Sequence, residues 1–263
     1  VARDVIDDRL LGALHLRALT RAGLAHDAAE EHTAFQAGTL DALMAGRFDG
    51  ETTLGELLAH GDLGIGTVQH LGGELVILDG EPWLVDAEGG VQAVPHSTPT
   101  PFAVLCHFSP TVRRELTGPL GYARLREQVD AMAPPDTPVL AVRVDGSFAD
   151  LRLRSVHAQA PPYPKLSDVV EHQTEWTVPS ATGSIVGFRF PDATAGVEVP
   201  GYHLHFLSDD RTVGGHVLDL TLVDGRAALD LGDELHVELD DGVGLGVPGA
   251  ADRAEIARLE GGS

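Results

Sequence analysis

The sequence predicts an α+β protein made of two halves, each a mixed and mostly antiparallel β-sheet with short helices. Alternating apolar and polar stretches such as GDLGIGTVQHLGGELVILDGEPWLVDAEGGVQAV are punctuated by glycine pairs and an Asp-Gly step, the pattern of a β-meander with tight turns. Helical periodicity is confined to brief runs. There is no regular β-α-β alternation and no GxGxxG opening a helix, which argues against a nucleotide-binding parallel-sheet fold. With 263 residues the chain can bury a sizeable core, as one large domain or as two of about 130 residues each. It divides on this reading into an N-terminal helical extension (1–31), an N-terminal sheet domain (32–136) and a C-terminal sheet domain (137–263).

Residues 4–31 are expected to be largely helical, because Ile6, Leu10, Leu14 and Ala18 recur at helical spacing, with Gly23 as a break. This segment would pack on the domain or mediate association as a homodimer. HTAFQAG reads as a strand, and TLDALMAGRF as a helix stopped by Asp49-Gly50. Thr53, with Glu56 three residues on, is a capping box ahead of a short helix. FAVLCHF is a strand and YARLREQVDAM a helix. Residues 139–156 are expected to form a hairpin turning at Asp145-Gly146, and LSDVVEHQTEW a helix. SIVGFRF, GYHLHFL, TVGGHVLDLTLVDG, AALDL and ELHVELD are strands. In both halves a short helix precedes a glycine-bearing strand, an order compatible with a diverged duplication.

The formal charge is −22, and Lys165 is the only lysine. Such a surface repels nucleic acid and anionic lipid, so neither is expected as a partner. An anionic ligand would need a metal or an arginine to reverse the field locally. Cys106 stands alone, which excludes an intrachain disulfide or a thiolate cluster and suggests a buried core thiol. No apolar run approaches the ~18 residues of a membrane span. The start has no apolar export signal, so a cytoplasmic location is expected.

The stretch GYHLHFLSDDRTVGGHVLDL carries three histidines. On a strand, His203 and His205 share a face. A two-residue turn at Asp209-Asp210 would place His216 directly across from His203, with Cβ atoms about 4.5–5.5 Å apart. A one-residue slip would turn His216 to the wrong face. Three neutral imidazoles make a site suited to zinc, with at least one position open, the catalytic pattern of zinc binding. On these residues alone the chemistry stays open between several three-histidine zinc enzymes, hydrolases and hydratases included, and a non-catalytic metal-stabilised β module.

Several separate stretches resemble the α-acetolactate decarboxylase family: GYHLHFLSDDRTVGGHVLDL, TLDALMAGRFDGETTLGELLAHGDLGIGTVQHLGGELVILDG, TPFAVLCHF and RLRSVHAQAPPYPKL. The similarity runs from about Thr39 to about Glu260. It implies that His203, His205 and His216 bind zinc, that Glu74 faces the metal as an acid/base group, and that Thr67 lines the pocket. It also implies that Arg154 is the active-site arginine and that Glu260, with Glu255 close by, closes the site. Val68 and Gly72 stand where the family has Phe and Asp. The implied reaction is decarboxylation of the keto-hydroxy acid 2-acetolactate to acetoin and CO2, with zinc as a Lewis acid stabilising an enediolate.

Overall fold

The computed structural model describes residues 4–26, 31–239, 245 and 256. The chain opens with β1 (Val5–Leu11) and β2 (Leu14–Leu19), an antiparallel hairpin, followed by a single short helix, α1 (Arg21–His26). The helical expectation for residues 4–31 is corrected over 5–19 by this hairpin and holds over Arg21–His26, while residues 27–30 lie outside the described ones. Within β2 the two-residue alternation decides: Leu14, Leu16 and Ala18 are buried while His15 and Arg17 face the other side. Ile6 and Leu10, whose spacing suggested a helix, stand exposed on an edge strand.

Next come β3 (Thr33–Ala37), α2 (Leu40–Met44), β4 (Thr52–Thr53), α3 (Leu54–Leu57), β5 (Leu63–Gly66), β6 (Glu74–Leu78) and β7 (Glu81–Val85). They are followed by β8 (Val91–Ala93), β9 (Pro99–Thr100), β10 (Ala103–Cys106), β11 (Val112–Gly121) and α4 (Tyr122–Asp130). The chain then runs through β12 (Val139–Ser155), α5 (Leu166–Val170), β13 (Thr174–Phe190), β14 (Gly201–Ser208), β15 (Gly214–Gly232) and β16 (Glu234–Glu238). Thr53 and Glu56 form the reciprocal capping box on α3.

Asp145-Gly146 does not turn the chain. β12 continues straight through it, with Gly146 paired to Gly183 on one side and Gly225 on the other. A Cβ at residue 146 would lie 2.3 Å from the Asp224 carbonyl oxygen, so this glycine permits close approach of strands. The helix expected over LSDVVEHQTEW ends at Val170, and Thr174 already belongs to β13.

Nine strands form one sheet in the order β1-β2-β16-β3-β10-β5-β6-β7-β8, and five form another in the order β11-β15-β12-β13-β14. β16 enters the larger sheet parallel to both β2 and β3. β11, from the first half of the chain, is the edge of the smaller sheet. The two sheets therefore do not part the chain at one point.

They pack face to face over a shared core. Leu16, Ile65, Val76 and Val104 of the larger sheet meet Ala141, Val186, Phe188 and Leu207 of the smaller one. Leu24 of α1 and Leu54 and Leu57 of α3 cover the outer face of the larger sheet. Leu125 and Val129 of α4 cover the outer face of the smaller. Cys106 is in the shared core as expected, and burial pushes its thiol well above the usual range. No helix among the described residues is long and apolar enough to cross a membrane.

Candidate metal centre and active site

The site forms where the inner end of β6 meets β14 and β15. Cross-strand pairing sets one wall. Arg154 of β12 pairs with His216 of β15, and His216 with His205 of β14. These three stand in one row on one face, with His203 two residues along β14 on the same face. His216 was expected opposite His203 and is opposite His205. The connection is longer than two residues: β14 runs to Ser208, and the Ser208 hydroxyl accepts bonds from the Thr212 and Val213 amides. The register moves by two, an even number, so all three imidazoles keep their common face.

The three histidines are buried, and one nitrogen from each lies within 4.8 Å of the others. Their ring centroids are 5.0–5.4 Å apart. Burial, then the nearby Arg154 guanidinium, lowers His203 to about 3. His205 is held well below its ordinary value by burial first and by His203 next. Both are neutral at physiological pH, the form that ligates metals.

His205 Nδ1 donates to the Leu75 carbonyl at 2.8 Å. That bond fixes the tautomer and leaves Nε2 as a bare lone pair. Nε2 faces Glu74 Oε2 at 3.3 Å, so two acceptors point toward each other. His203 Nδ1 and His205 Nε2 are buried with no hydrogen-bond partner among the described residues. Buried acceptors left in this way are costly unless a cation satisfies them. The donor set therefore fits a divalent metal ion.

Glu74 opens β6 and reaches across from the larger sheet. Its Oε1 accepts from Arg154 Nη1 at 2.9 Å, and both side chains are buried. Thr67 lies beside them, its hydroxyl donating to the Gly73 carbonyl at 2.8 Å. Thr67, Glu74, Arg154 and His203 line one cleft, whose remaining wall is apolar and includes Leu71, Phe102, Val156 and Leu166. Glu255 and Glu260 lie outside the described residues. The apolar wall was not foreseen from sequence. It is assembled from six separate segments, and no single stretch carries its pattern.

The family model for α-acetolactate decarboxylase matches residues 34–243. The chain belongs to the α-acetolactate decarboxylase family. It is 40% identical over 212 residues to the α-acetolactate decarboxylase of Methylococcus capsulatus, covering 81% of this chain and 82% of that one. To the enzyme of Methanosarcina mazei it is 39% identical over 205 residues, covering 78% and 71%. The fold is similar to the crystal structure of α-acetolactate decarboxylase from Bacillus subtilis, with a TM-score of 0.82 and 29% identity, over 88% of this chain and all of that one. The α-acetolactate decarboxylase family is one of carboxy-lyases, and this chain is an enzyme of that class. The two departures noted in sequence, Val68 and Gly72, are neighbours in space: a Cβ on Gly72 would lie 2.9 Å from Val68 Cγ2.

Proposed function

We propose that the chain catalyses the metal-dependent decarboxylation of 2-acetolactate to acetoin and CO2, with zinc on His203, His205 and His216. The observation that carries this reading is the convergence of three buried imidazoles beside the Arg154–Glu74 pair, at a cleft lined by Arg154, Glu74 and His203. A site for a hydrated or hydrolysed neutral substrate has no need of that buried guanidinium. A keto-hydroxy acid does, because its carboxylate enters a protein of formal charge −22.

Loss of CO2 leaves an electron pair on the α-carbon, and the adjacent ketone is the acceptor for it. When bound, the metal supplies the Lewis acidity that polarises the ketone and hydroxyl oxygens. Arg154 pairs with the carboxylate and orients it for departure. Glu74, beside the metal-facing nitrogen of His205 and ionised where it accepts from Arg154, takes up a proton from solvent and delivers it to the carbon that CO2 leaves. Thr67 and the apolar wall hold the substrate's methyl groups and exclude bulk water.

The test is direct. Purified protein is mixed with racemic acetolactate, with and without a chelator, and acetoin and CO2 are followed. Acetoin formation that stops on chelation and returns with zinc is the expected result. Absence of metal-dependent acetoin removes the proposal.

A further inference from the structure

One wall of the cleft is the loop 67–73, which contributes Thr67, Leu71 and Gly73. Its middle has an uncommon backbone. His70 and Leu71 are consecutive residues at positive φ, 65° and 56°. Neither is glycine, and left-handed non-glycine residues persist only where the surroundings hold them. Leu71 is buried in the cleft wall. The cavity is small, about 60 Å³, so a wall moved by the width of a methyl group changes what it admits.

Thr67, at the start of the loop, is bonded to Thr100 and Phe102, and the restraints on the middle come from two other segments. The His70 amide donates to the Phe48 carbonyl at 2.7 Å, and the His70 carbonyl accepts from the Gln159 amide at 2.7 Å. Gln69 accepts from the Gly50 amide at 2.9 Å and donates to Asp49 at 2.8 Å. The side chains then close a triangle at the rim. Tyr163 donates its hydroxyl to Asp49 Oδ1 at 2.7 Å and accepts from His70 Nδ1 at 2.6 Å. The Tyr163 ring is held edge-on by Phe48, with centroids 5.3 Å apart. Desolvation and the Asp49 carboxylate push the phenol up to about 12, so it stays a donor across the neutral range. Asp49, His70 and Tyr163 come from three different parts of the chain and meet only here.

We propose that Tyr163, acting through Asp49 and His70, is a positioning residue that holds the left-handed loop 67–73 and so sets the Leu71 wall of the substrate cleft. The inference rests on the decarboxylase reading of that cleft. Tyr163 touches no reacting atom; it acts on substrate fit through Leu71. Glu74 and the metal ligands are anchored by strand pairing and do not depend on it.

The test uses the metal-loaded enzyme with Tyr163→Phe, which keeps the ring and removes the hydroxyl. Expected is a rise in KM for acetolactate of about five- to tenfold, the size of one lost hydrogen bond to a charged network, with kcat within about twofold. Metal content is expected to be unchanged. His70→Asn, which tolerates the left-handed region and keeps a side-chain donor, should stay near the parent KM. His70→Val, which tolerates it poorly, should raise KM at least as far as Tyr163→Phe. Hydrogen exchange of the amides in 69–73 should speed up in Tyr163→Phe and His70→Val, and this readout does not require turnover. If the parent protein forms no acetoin, the decarboxylase reading fails, and the exchange data alone then decide whether Tyr163 holds the loop. Unchanged KM and unchanged exchange in both variants overturn the positioning role. So does a fall in melting temperature with KM unaltered.

Discussion

The two walls of the cleft are held by different means. His203, His205, His216 and Arg154 ride on β14, β15 and β12, where backbone ladders fix the position of every side chain. The facing wall, from Thr67 to Gly73, lies between β5 and β6 and has no ladder of its own. It is fixed by side-chain and main-chain bonds to the segments around residues 48–50, 100–102 and 159–163. A ladder distributes its load over many bonds, and losing one side chain leaves the neighbours in place. A loop held by a few side chains loses its geometry when one is removed. The histidine wall should therefore respond to substitution in chemistry alone, and the loop wall in substrate fit.

The largest expected effect tests the laddered wall. His216→Ala should lose stoichiometric metal, read by elemental analysis, and with it turnover by at least about a thousandfold. The backbone should stay folded by circular dichroism. Retention of one metal per chain would show that the wall is not the metal site. Glu74→Gln comes next. It should keep the metal and lose about a hundredfold or more in kcat, because an amide cannot deliver the proton. Near-parent turnover would remove Glu74 from the mechanism.

Arg154→Lys should be milder, roughly tenfold to a hundredfold in kcat/KM, with metal affinity nearly unchanged. A lysine keeps the charge but cannot pair with Glu74 and a carboxylate as a planar fork does. If metal affinity falls as far as kcat/KM, Arg154 supports the histidines and does not bind substrate. Thr67→Val sharpens the contrast from the loop side. It deletes the bond to the Gly73 carbonyl and leaves a buried acceptor short of a donor. About 1–2 kcal/mol of stability should be lost, with KM rising more than kcat falls.

The smallest effect lies far from the cleft, on the outer part of the larger sheet. Asp8, His15, Glu234 and His236 form a chain of contacts across β1, β2 and β16. The Asp8 carboxylate holds His15 above 6.5. Burial opposes ionisation of Glu234, yet bonds from His236 and His15 bring it below 4.5. The His15 contribution is therefore full below pH 6.5 and fades as pH rises through the elevated value. The Glu234 contribution is full above pH 4.5 and fades as pH falls through the depressed one. Both are present together from about pH 4.5 to 6.5, so the melting-temperature gap between parent and His15→Gln should peak there. It should close at alkaline pH, with metal content unchanged throughout. A gap independent of pH would show that His15 acts by packing alone.

Much of the site was legible because it sits on strands. The two-residue period of H-x-H puts His203 and His205 on one face whatever they pair with, and His216 needed only an even register. Glu74 and Arg154 were reached through motif similarity, since neither stands near the histidines in sequence. Residues 5–19 misled because Ile6, Leu10, Leu14 and Ala18 fit a helical spacing while Leu14, Leu16 and Ala18 also fit a strand. Sequence offers no way to weigh the exposed edge that makes Ile6 and Leu10 irrelevant to the core. Asp145-Gly146 misled because Asp-Gly marks turns and close strand approach alike.

The chain's own pattern determined the β-rich class, the common face of the three histidines, the capping box at Thr53 and the buried thiol. Each depends on periodicity or on contacts within a few residues. Only the tertiary structure decided that β16 returns to the first sheet, that Glu74 reaches Arg154 across the sheet interface, and that Asp49, His70 and Tyr163 meet at the rim. Those are contacts between residues tens to hundreds of positions apart. They are selected by how two twisted sheets bury a shared core, and no local spacing records that choice.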